Sequence, residues 1–141
     1  MTQAILAPLF AYTLWLFVLW MLLGGSRGLA WIRGAMPPEY FRVGLGPRPE
    51  DKIVDIHHHF SNQFEIPVLF YLGCLTAVVS NAADGRVVSL AWAFVGLRVI
   101  HSALVLIRND PRTRLWPYAL SAFCVWALWG SLFVAVFRAS T

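Results

Sequence analysis

Glu65 and Arg98 stand inside long apolar stretches, His101 follows three residues after Arg98, and Asp55, His58 and Asn62 precede Glu65 at helical spacing. On a helix advancing about 100° per residue, Asp55, His58, Asn62 and Glu65 share an arc of roughly 80°, and Arg98, His101 and Ser102 share one of about 100°. Each group is a polar stripe on an otherwise apolar helix. A charge at bilayer depth costs roughly 2.5–3.5 kcal/mol on insertion scales, so such residues turn to a bundle interior and pair there. A Glu65–Arg98 pair joins the two stripes. It reads either as a contact that specifies helix packing or as one wall of a cavity to which Asn62, His58 and His101 add donors and acceptors. Pro67 removes a backbone donor and predicts a kink near the carbonyl of Gln63, opening space beside the stripe.

The chemistry on offer is charge and hydrogen bonding, not attack by the chain itself. No H-E-x-x-H or P-loop is present, nor paired carboxylates at a cleft, so an enzymatic role requires a bound cosubstrate to bring the nucleophile. His57, His58 and His59 are consecutive and point three ways on a helix, so they do not form a ligand set, and no metal site is expected. Cys74 and Cys124 lie one apiece in two apolar runs and read as small packing residues.

These residues must be positioned by membrane helices. Of the 141 residues 59% are hydrophobic and 13% charged, and the mean hydropathy is +0.65, too apolar for a soluble domain of this size. Runs near 4–23 and 115–137 carry no charge and reach the roughly 20 residues that cross a bilayer. Runs near 53–79 and 87–107 are interrupted by Glu65, and by Arg98 and His101, and read as spans with one polar face. The expectation is a single all-α domain, an integral membrane four-helix bundle in contact with lipid. Gly24, Gly25 and Gly28 are expected to end the first helix, with Pro37, Pro38, Pro47 and Pro49 keeping the next loop irregular. Tyr40, Phe41 and Trp31 suit the membrane interface. Asn81–Gly85 and Asn109–Pro111 read as tight turns between antiparallel neighbours.

The net charge is +4 and the isoelectric point about 9.6, but the basic residues form no patch interleaved with aromatics, so nucleic acid is not an expected partner. Arg27, Arg33, Arg42, Arg48 and Lys52, with Arg108, Arg112 and Arg114, place the first and third loops in the cytoplasm. The N-terminus lacks a basic n-region and a small-residue cleavage site, so the first run reads as a retained span.

The stretch H-H-H-F-S-N-Q-F-E-I-P around Asn62 and Glu65, followed by Arg98-Val99-Ile100-His101, resembles the MAPEG family, the membrane-associated proteins in eicosanoid and glutathione metabolism, and the chain looks like a bacterial, inner-membrane member. The resemblance covers nearly all the chain. It implies a homotrimer of four-helix protomers with glutathione as cosubstrate near the cytoplasmic face. His58, Asn62, Glu65, Arg98, His101 and Tyr118 are the binding residues it implies, and Arg114 the catalytic one, stabilising a thiolate that attacks a lipophilic electrophile. His58 stands where the family normally has Arg. Val105 replaces a Tyr of several mammalian members, and Leu115 a Ser of a prostaglandin-forming one, so a specific eicosanoid synthase is not expected. The function implied is a glutathione transferase or peroxidase. The alternative is a non-catalytic protein of the same fold, lipid-binding or an accessory subunit of a larger complex.

Overall fold

The computed structural model describes residues 2–35 and 51–139, so the prolines of the first loop, Tyr40, Phe41, Arg42 and Arg48 lie outside the described residues. After a 3-10 turn at Thr2–Ile5, α1 runs Leu6–Ile32. Gly24, Gly25 and Gly28 do not end it. They lie within the helix, and the stop falls at Gly34, whose φ of 66° takes the left-handed form in which glycine closes a helix. There Gly34 N donates to Trp31 O at 3.0 Å and Ala35 N to Ala30 O at 2.9 Å.

The second span is broken. α2 covers Asp51–Ser61, Asn62–Phe64 is a 3-10 turn, Glu65 leaves helical geometry with φ −100° and ψ −108°, and α3 runs Ile66–Val79. Pro67, at the start of α3, has no N–H to offer the carbonyl four residues back, so the expected kink is present and has a covalent cause. α4 is Gly85–Ile107 and α5 is Pro111–Ala139. Asp84 caps α4 by accepting from Val87 N at 2.8 Å. Asp110 accepts from Arg112 N and Thr113 N at the start of α5, and Pro111 supplies the fixed φ that suits a first helical turn. Asn81 and Asn109, both at positive φ, make the turns tight enough that α3, α4 and α5 are antiparallel neighbours.

Four helical segments are long and apolar enough to cross a membrane: Gln3–Ile32, Asp51–Val79, Gly85–Ile107 and Pro111–Arg138. Their outer faces carry Phe10, Leu14, Phe17, Trp20, Leu72, Trp92, Phe123 and Trp126, as lipid contact requires. Inside, Phe70 stacks on Phe94 with centroids 4.3 Å apart, and Tyr12 packs edge-on against both. Trp129 Nε1 donates to Leu69 O at 3.0 Å, and Gly73 lets α3 approach Leu128 and Trp129 on α5. Cys74 and Cys124 are free and buried, in keeping with packing roles.

Candidate functional site

A polar network crosses the bundle where the second span breaks. Arg98 is fully buried. Its Nη2 donates to Asn62 O at 3.1 Å, Asn62 Oδ1 at 3.2 Å and Gln63 Oε1 at 3.2 Å, and its Nε to Tyr12 Oη at 3.4 Å. Tyr12 donates to Gln63 Oε1 at 2.6 Å, and Gln63 Nε2 donates to the carbonyl of His59 at 2.8 Å. The cation on the third span is thus held by neutral acceptors drawn from the first two.

The expected Glu65–Arg98 pair does not form. Glu65 is exposed, and its carboxylate accepts from Asn62 Nδ2 at 3.3 Å. The reason is the helix break. A constant 100° step carries Glu65 onto the stripe, but a 3-10 turn advances faster and Glu65 itself leaves the helix, so the side chain swings outward.

Beside this network, at the bundle end that holds the turn between α4 and α5, lies a cleft of about 470 Å³. α2 and the 3-10 turn line it with Asp55, His58, His59 and Asn62; α4 adds His101 and Val105; the turn and α5 add Asn109, Pro111, Arg114, Leu115 and Tyr118. Of the residues expected from sequence, His58, Asn62, His101, Arg114 and Tyr118 meet here. Arg98 stands behind the wall, its guanidinium carbon 5.6 Å from the Tyr118 ring centroid, and its buried Nη1 has no hydrogen-bond partner among the described residues. Glu65 does not line the cleft.

Hydrogen bonds orient the cleft's side chains. Arg114 Nη1 donates to Asn109 Oδ1, so the left-handed turn residue holds the arginine. His101 Nδ1 lies 2.9 Å from the carbonyl of Arg114; a carbonyl only accepts, so Nδ1 carries hydrogen. Ser102 Oγ gives its one proton to Arg98 O at 2.8 Å and accepts from Trp15 Nε1 at 3.1 Å. His59 Nε2 lies 2.9 Å from that oxygen and 3.4 Å from the Gln63 amide nitrogen.

Sequence reasoning missed His59, Gln63, Tyr12, Trp15 and Asn109. The signals were present in part: His59 and Gln63 are four apart, next to the Asn62 stripe. Tyr12 and Trp15 are amphipathic rings at span depth, away from the interface that such rings favour. Among the described residues no His, Cys, Asp and Glu cluster could hold a metal ion.

An all-α bundle of four membrane-spanning helices with a polar cleft near one end defines the class of protein. A model of the MAPEG family matches residues 5–134, and the chain belongs to that family. No curated protein and no solved structure matches it. Membership supports a glutathione-related transferase or peroxidase function at the level of the family.

Proposed function

We propose that the chain is a glutathione-dependent membrane transferase or peroxidase acting on lipophilic electrophiles. The observation that carries this reading is the cleft, which sets Arg114, His101, His58, Asn62 and Tyr118 against Val105, Pro111 and Leu115. Its volume falls in the roughly 300–1,000 Å³ range of small-molecule sites. Glutathione carries two carboxylates, an ammonium, peptide groups and a thiol, and the residues present fit those groups. Arg114 offers a fixed cation for a carboxylate or the thiolate, Asp55 an acceptor for the ammonium, and Asn62 an amide for the peptide groups. The unpartnered Nη1 of Arg98 adds a donor behind Tyr118. The apolar wall suits an electrophile that partitions from lipid.

Glu65 supports assembly as a homotrimer. It sits midway along the second span, Asp51–Val79, and is exposed. A carboxylate at that depth needs more than the one long contact from the Asn62 amide, and a neighbouring protomer is the source that fits.

Calorimetry of the detergent-purified protein with glutathione tests the reading. Saturable binding that weakens at least about tenfold in Arg114→Ala is expected, the loss of one charge-assisted contact. No heat at millimolar glutathione would sink it.

A further inference from the structure

Arg114 is the cation of the proposed site, but a guanidinium cannot accept a proton. The thiol proton must go elsewhere, and His101, a buried imidazole that lines the cleft, is arranged to receive it. With Nδ1–H of His101 committed to the Arg114 carbonyl at 2.9 Å, Nε2 of a neutral ring carries the lone pair. His101 is held between His59 and Tyr118, at ring-centroid distances of 5.5 and 5.6 Å. His59 has its Nε2 engaged by Ser102 Oγ at 2.9 Å and the Gln63 amide at 3.4 Å. The carbonyl that fixes the His101 ring belongs to Arg114 itself, so one residue orients the proton acceptor and supplies the cation that stabilises the resulting anion.

We infer that His101 Nε2 is the proton acceptor for the cosubstrate thiol, an assignment that rests on the glutathione reading above. With an activated alkene as electrophile, the S–H proton passes to Nε2 and the sulfur lone pair forms a C–S bond at the β-carbon. The imidazolium proton then returns to the enolate, leaving a thioether. Electrons and protons balance without another reactant.

Two readouts test the step. Bound thiolate is followed by its near-ultraviolet absorbance, and protons released to solvent are counted by calorimetry in buffers of different ionisation enthalpy. At about pH 8 a free imidazole is neutral, so the wild-type protein is expected to form thiolate with almost no proton appearing in the buffer. A proton released for every thiolate formed overturns the assignment. In His101→Asn, whose amide can still donate to the Arg114 carbonyl, the thiolate band per glutathione bound should fall about tenfold or more. An undiminished band in that variant also overturns it. If the variant does not fold, the wild-type proton count decides alone. Failure of the wild type to bind glutathione removes the underlying reading and this one with it, whereas binding with matched proton release removes this one only.

Discussion

Arg98 is the residue on which the interior depends. Neutral oxygens of Asn62, Gln63 and Tyr12 surround its guanidinium, and removing it leaves several of them short of a donor in the buried interior. Arg98→Met is expected to lose about 2–4 kcal/mol of stability, the cost of stranding buried hydrogen-bonding groups. Arg98→Lys should recover little of it, because an ammonium lacks the planar fork that reaches both Nε and Nη2 partners. Unfolding of the detergent-solubilised protein by denaturing surfactant measures both. At this scale the sequence was legible for residues on regular helix and misleading at the break. His58, Asn62, His101, Arg114 and Tyr118 meet in one cleft as helical spacing and family resemblance imply. Glu65 departs because one irregular turn invalidates a helical wheel beyond it.

Single substitutions test the elements through their ends and their closest approach. Asp84→Ala removes the side-chain acceptor for Val87 N and should cost about 1 kcal/mol, a loss that Asp84→Asn largely avoids. A Cβ at Gly73 meets Leu128 Cδ2 at 2.7 Å and Trp129 Nε1 at 3.4 Å. The first contact is the end of a flexible side chain, so Gly73→Ala should be tolerated. Gly73→Val forces α3 and α5 apart and should cost about 1–3 kcal/mol. Thermal aggregation half-times rank these variants, and an innocuous Gly73→Val would contradict the close packing. Length and hydropathy made the spans legible because a bilayer constrains both. The end of α1 was not, because Gly24, Gly25 and Gly28 are ordinary helical residues here and only the positive φ of Gly34 marks the stop.

For the whole molecule, the exposed carboxylate midway along the second span gives the assembly its sharpest test. Native mass spectrometry is expected to find trimers for the wild type and a larger monomer fraction for Glu65→Gln, with helix content by circular dichroism unchanged. An undisturbed trimer in that variant would separate Glu65 from assembly. The placement of Arg98 also bears on how the chain enters the membrane. The third span is costly to insert by itself because it carries a permanent cation near its middle. Every acceptor that Arg98 uses, from Tyr12 to Gln63, belongs to earlier spans, which synthesis delivers first. The order of helices along the chain therefore lets a charge arrive where its partners already wait, and biogenesis of the third span is conditional on the first two.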